Sequence, residues 1–211
     1  PLFNSTPAQP FQPMTSQPQA RTLFCSHERL TLLSLSRITL AYWYSMQLIL
    51  ASSSTYRHEL LQRLHLPFEC RTPDIDETPH ETETPEQLVK RLALAKARRI
   101  AEEFPDALII GSDQAAVLEQ TIIGKPGSAK KALTQLRRAN GKTMQLMTGL
   151  CLLNSRTGHY QLDMVPFEVT FRPLSDDALK RYIEIDMPLD CAGSFKWEQL
   201  GIALFSSMQG N

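Results

Sequence analysis

From Met46 onward, apolar runs of strand length alternate with amphipathic stretches of helix length. Leu48–Ala51 is a short apolar run that reads as a buried strand, and Ser52-Ser53-Ser54-Thr55 follows it. The spacing then predicts a helix over 56–66 with Leu60, Leu61 and Leu64 facing inward. A second strand is expected over 67–71. Thr84-Pro85-Glu86-Gln87 combines a capping Thr, a Pro at the first helical position and a Gln at the third. It predicts a helix to about Phe104 with an inner stripe of Leu88, Leu92, Ala95 and Ile100. Ala107–Ile110 is a continuous apolar run, as in a strand covered on both faces, and Gly111 is read as its end. Asp113 would then lie just past a strand's carboxyl end, where open α/β sheets bind their ligands.

The pattern continues to the C-terminus. Val117–Ile123 suggests a hairpin turning at Glu119-Gln120, and Ser128 caps a helix that ends at Asn140-Gly141. Residues 143–153 and 160–172 look like two long strands joined across Ser155–Gly158. Ser175 caps a helix with Leu179, Tyr182 and Ile183 inward, and Pro188 lies beyond its end. Gly193 and Gly201 bracket a polar loop, and Ile202–Phe205 reads as a short strand.

The segment before Met46 behaves differently. Residues 1–20 are rich in Pro, Gln, Ser and Thr and carry too little apolar surface to order themselves. Residues 30–44 are more apolar, but Arg37 and several serines make the stretch too polar for a membrane span, and it lacks a signal-peptide pattern. The expected organisation is therefore a disordered or non-native tail over 1–45 and a folded domain over 46–211. An amphipathic partner-binding segment is the competing reading of the tail.

Composition narrows the function classes. Lys plus Arg and Asp plus Glu are 22 each, so no basic field points to a nucleic-acid polymer as partner. The four cysteines form no C-x-x-C pair, which fits a reducing cytoplasm and argues against a disulfide frame or a zinc site. The histidines also lack metal spacing, with His58 and His65 read as helix-surface residues. No P-loop and no G-x-G-x-x-G is present.

Several positions carry candidate chemistry. A strand, a hydroxyl-rich turn and a helix form an anion-binding arrangement, because the free amides of the first helical turn and the helix dipole both favour negative charge. Ser53 and Ser54 add donors, and Arg57 adds a planar fork suited to phosphate. A plain N-cap is the simpler reading of the same residues. Asp74, Asp76 and Glu77 form either a solvated acidic loop or the holder of a hard metal ion. Lys96 borders the inner stripe of its helix and reads as a snorkelling surface residue. Lys125, between Gly124 and Pro126, is either an aimed amine or an ordinary turn lysine.

Taken in order, the motifs L-I-L-A-S-S-S-T-Y-R, D-I-D-E-T-P, L-A-L-A-K-A, I-I-G-S-D-Q, G-K-P, T-G-L and C-A-G-S-F-K-W-E-Q-L-G resemble those of the Maf family of nucleoside triphosphate pyrophosphatases. The resemblance spans roughly Met46 to Gln209. It implies a two-lobed α/β fold of the Maf/ITPase kind, with a mixed central sheet flanked by helices and a cleft between lobes. It implies hydrolysis of a nucleoside triphosphate to the monophosphate and pyrophosphate. It also implies that Ser53, Ser54 and Arg57 hold the triphosphate, and that Glu77 and Asp113 position a divalent metal, Mg2+ or Mn2+, and the water. Asp113 is then the proton acceptor, and Lys96 and Lys125 contact phosphate or balance charge. The expected partner is the nucleotide alone, with no membrane, a cytoplasmic location and a homodimer allowed.

Within the family, S-F-K-W-E-Q-L-G resembles the branch acting on 7-methylguanosine triphosphate rather than the branch acting on dTTP and UTP. Substrate choice in that branch maps to Tyr56, Gln114 and Glu198. An aromatic ring stacks on a cationic methylated base, and a carboxylate accepts from the two donors on the guanine edge. Three departures stand out: Tyr56 for the usual tryptophan, Thr55 for proline with His58 for a second basic residue, and no C-terminal family segment after Asn211, so that the chain reads as truncated. The alternatives are pyrimidine specificity within the same family and a non-catalytic nucleotide-binding protein that inhibits septum formation.

Overall fold

The computed structural model describes residues 46–210, so the readings of residues 1–45 fall outside it. Its core is one seven-stranded sheet. The elements are β1 (Gln47–Ala51), α1 (Thr55–Gln62), β2 (Glu69–Arg71), α2 (Pro85–Ala101), β3 (Ala107–Leu118), β4 (Thr121–Ile123), α3 (Ala129–Ala139), β5 (Thr143–Asn154), β6 (Tyr160–Phe171), α4 (Asp176–Asp186) and β7 (Phe205–Gly210). Short 3-10 turns over Ala192–Ser194 and Leu200–Leu204 precede β7. The strand order is β2-β1-β3-β5-β6-β7, with β4 also on β3. β1 is parallel to β2 and β3, and the other pairs are antiparallel. The expected mixed sheet flanked by helices is thus present.

Helices cover both faces. The small inward residues Ala93 and Ala97 let α2 lie close on one face, packed with Ile49, Ile109 and Cys151. On the other face α3 and α4 bring Leu136, Leu179 and Ile183 against Leu118, Met144 and Phe171. Each helix starts where its capping residue dictates. Ser54, Thr84, Ser128 and Ser175 accept from the backbone N–H three residues on, and Thr84 forms the full reciprocal box with Gln87.

Five expectations fail. Gly111 does not end β3, which runs on to Leu118. The glycine is there because a Cβ would stand 2.1 Å from the Ala93 carbonyl oxygen, and at Gly149 on β5 the same addition would stand 2.3 Å from that of Val89. Both glycines serve close packing of α2 on the sheet. The first helix stops at Gln62 and buries no residue; Leu60 and Leu64 are exposed. His65 lies past its end with a positive φ, so it is not a helix-surface residue. Ala95 is only half-buried while Ala93 and Ala97 are fully covered, so the stripe of α2 is rotated from the expected one. Finally, Ile202–Leu204 is a 3-10 turn and β7 begins at Phe205.

The register of β3 creates a notch. β1 pairs with Ala107–Gly111 and β4 with Ala116–Leu118 on the same side. Among the described residues, 112–115 bond to β5 alone. Asp113 therefore sits inside a strand, yet still past the end of β1. Side chains alternate across a strand, so Asp113 shares the α2 face with Gly111 and Ala115, and Gln114 faces the α3/α4 side with Ala116.

Candidate active site

On the α2 face, Lys96 Nζ donates to Asp113 Oδ1 at 2.6 Å and lies 2.8 Å from Glu77 Oε1. Lys96 is buried, so the snorkelling reading is wrong. Its ammonium leaves water only because two carboxylates meet it, which is what a buried charge requires. Asp113 is nearly covered, while the Glu77 side chain is 58 % exposed.

Glu77 belongs to the loop between β2 and α2, and that loop is tied down. Arg91 Nε and Nη2 meet the two Glu83 oxygens at 2.6 and 2.8 Å, and Nη2 also reaches the Thr78 carbonyl at 3.1 Å. This forked pair holds Glu83 well below the usual carboxylate range, at about 2. Sequence reasoning missed Glu83 and Arg91, because nothing in their spacing shows that the guanidinium bridges back over the start of its own helix. Of the other acids in the loop, Asp74 is exposed, and Asp76 accepts from the Thr78 N–H at 2.9 Å.

The first turn of α1 stands at the notch. Ser54 N–H donates to Ser52 Oγ at 3.1 Å, and Ser54 Oγ caps the helix by accepting from Arg57 N–H. Burial pushes the Arg57 guanidinium down from its ordinary range, with Asp113 and then Glu77 opposing the push. Among the described residues its side chain makes no hydrogen bond or ion pair, so its fork is unspent. Ser53 is exposed beside it.

Tyr56 turns the other way. Burial, then the nearby Cys191 thiol, Asp190 and Glu198, push its hydroxyl up to about 12. The loop over 190–198 thus meets α1 on the α3/α4 side. Gly193 lies against Met144 and Ala116, and Ser194 bonds Gln135. Gln114 Nε2 donates to Thr148 Oγ1 at 2.9 Å on this face, and Trp197 packs on Phe167 with ring centroids 6.1 Å apart. Glu198 is exposed.

The sequence candidates therefore fall into two groups at one notch: Glu77, Lys96, Asp113 and Arg57 on one side, and Tyr56 with Glu198 on the other, near the face that carries Gln114. Lys125, in the turn after β4, is exposed and makes no ion pair among the described residues. A hard divalent cation fits the first group. Two carboxylates already converge on a single positive centre, and the open side of Glu77 leaves access for water and phosphate oxygens, the ligands Mg2+ prefers. No cluster of three or more His, Cys, Asp or Glu suited to a metal occurs among the described residues. No helix among them is long and apolar enough to cross a membrane.

This geometry meets a consistent set of relatives. Proteins named 7-methyl-GTP pyrophosphatase match at 55 % identity over 164 residues in Pseudomonas savastanoi pv. phaseolicola, covering 78 % of this chain and 85 % of the relative. The Pseudomonas aeruginosa protein matches at 53 % over 163 residues, 77 % and 85 % of the two chains. The structure of the Staphylococcus aureus Ham1 protein aligns at 13 % identity with a TM-score of 0.44, over 74 % of this chain and 89 % of that one. The family model described as Maf-like protein matches residues 47–211, essentially everything that folds around the notch, and the chain belongs to the Maf family.

Proposed function

We propose that the protein hydrolyses 7-methyl-GTP to 7-methyl-GMP and pyrophosphate. The observation that carries this reading is the notch in β3, where a buried lysine–carboxylate cluster and an unspent arginine lie across one helical turn from an aromatic ring and a carboxylate. The names borne by relatives of 53–55 % identity support the same substrate.

Each residue then has a task. The helix amides of α1, the Ser53 and Ser54 hydroxyls and the Arg57 fork bind the phosphate chain. Glu77 and Asp113 would hold Mg2+ or Mn2+, which when bound neutralises phosphate charge and polarises the phosphoryl oxygen. Asp113, its Oδ1 held by Lys96, takes the proton of the attacking water. The water oxygen bonds to the α-phosphorus, the bond to the α–β bridging oxygen breaks, and pyrophosphate departs with that oxygen. Lys96 keeps the two carboxylates from repelling each other and fixes their separation before substrate arrives. Tyr56 stacks on the cationic base. Glu198 accepts from the N1–H and exocyclic amine of guanine, while Gln114 contributes a neutral amide on the same side. A cytoplasmic location suits the free thiols of Cys70, Cys151 and Cys191.

Product analysis with 7-methyl-GTP, GTP, dTTP and UTP, with and without Mg2+, tests the reading. Equimolar monophosphate and pyrophosphate with preference for the methylated guanine is expected. Release of orthophosphate overturns the reaction assignment, and preference for pyrimidines overturns the role of Glu198.

A further inference from the structure

The Lys196–Gly201 loop, which carries Trp197 and Glu198, is fastened from α4 by two buried side chains. Tyr182 Oη accepts from the Lys196 N–H at 3.0 Å, and Asp186 Oδ2 accepts from the Gly201 N–H at 3.1 Å. The Asp186 carboxylate also lies near enough to the Tyr182 hydroxyl to help hold it protonated, so the two anchors sit together on α4. Tyr182 is 4 % exposed and Asp186 9 %. The loop is closed tightly on itself. Gly201 N–H and Gln199 N–H both donate to the Lys196 carbonyl, at 3.1 and 3.2 Å, and a Cβ on Gly201 would stand 2.4 Å from that oxygen. A buried carboxylate that accepts from one end of the Lys196–Gly201 span, and a phenol that accepts from the other, define where the middle of the span points.

We propose that Tyr182 and Asp186 are positioning residues for base recognition: they fix both ends of the Lys196–Gly201 loop and so place Glu198 against the base, without touching the nucleotide themselves. This rests on the reading of Glu198 as the base reader. The pair sits on the face opposite the Lys96–Asp113 cluster, so it acts on discrimination and leaves the chemical step alone. A polar pair is a costly filling for a core position, and its use here follows from what it grips: backbone N–H groups at the two ends of a loop outside the sheet ladders.

The test is a double-mutant cycle in the full chain with Mg2+. Tyr182→Phe keeps the ring and removes the hydroxyl. KM for 7-methyl-GTP is expected to rise by up to about tenfold, the upper end for one lost neutral hydrogen bond, with kcat within about twofold and KM for UTP unchanged. Asp186→Asn keeps an acceptor for Gly201 N–H and should show a smaller rise, and it replaces Tyr182→Phe in the cycle should that variant not fold. Adding Tyr182→Phe to Glu198→Gln should cost nothing further. If Glu198→Gln lowers discrimination but Tyr182→Phe does not, or the two effects add, the positioning role is overturned while the base reader stands. If Glu198→Gln alone leaves discrimination unchanged, the reading of Glu198 falls, and the positioning role falls with it.

Discussion

Asp113 and Gln114 are neighbours in β3, yet they face opposite sides of the sheet, and the two sides are built differently. On the α2 side most polar groups are already paired: Lys96 is buried between two carboxylates, and Arg91 and Glu83 lock the loop that delivers one of them, while the Arg57 fork stays open. On the other side Gln114 and Glu198 are exposed, and Gln114 makes a single neutral bond to Thr148. The first side is arranged before any ligand arrives, as a site that stabilises developing charge must be. On the proposed reading the second is left for a base to complete, as a site that discriminates through polar groups awaiting a partner must be. The first turn of α1 joins them, since Arg57 and Tyr56 are consecutive residues with different electrostatic neighbours.

The contrast can be broken most severely at Asp113. Asp113→Asn keeps the shape and an acceptor for Lys96 but removes the base, and kcat should fall by about 10²–10⁴ with substrate affinity largely kept. Steady-state kinetics with a nucleotide-binding titration checks this; unchanged turnover would remove the enzymatic account of the site.

Next in size is Lys96→Met, which leaves two carboxylates facing each other without their cation. Breaking a buried pair costs about 3–5 kcal/mol, and urea unfolding should show a loss of that order at low metal concentration. If Glu77 and Asp113 hold a divalent ion, millimolar Mg2+ should restore part of the loss, because a cation again separates the acids.

Gly111→Ala probes the same side through packing. The added methyl strikes the Ala93 carbonyl, so α2 must back away and carry Lys96 from Asp113. Overpacking of this kind costs roughly 1–3 kcal/mol, and both Tm and kcat should drop. Gly127→Ala offers a control: it adds no clash and only the strain of a positive φ.

The mildest effect is with pH. Glu83 has a folded pKa near 2, below its ordinary 4.5. A depressed carboxylate contributes stability that is complete above its unfolded pKa and fades as pH falls toward the folded one. Wild type and Glu83→Gln should therefore differ in urea stability at pH 7 and converge between pH 4.5 and 2. A gap that persists at pH 2 would mean that Glu83 does not hold its loop through charge.

The chain's own pattern was sufficient for most elements. Cap residues are local, so Thr84 with Gln87, Ser128 and Ser175 mark helix starts correctly before any tertiary contact is known. The turn at Glu119-Gln120 and the pairing of β5 with β6 across Ser155–Gly158 also follow from local chemistry, and both residues of that first turn have positive φ. Ordered motifs were enough to identify the family, and with it the residues that meet at the notch. Tertiary structure alone decided the rest. Whether Gly111 stops a strand or admits a helix depends on how closely α2 folds back over the strand that follows it. Whether Lys96 lies in water or between two acids depends on where Glu77 and Asp113 arrive. A one-residue step along β3 sends Asp113 and Gln114 to different faces in any register, but only the early end of β1 opens the gap that lets one helical turn serve both. Periodicity reports which side of an element is apolar; it carries no information about which distant charges share that side, because charge pairing is set by the packing of elements the chain brings together from afar.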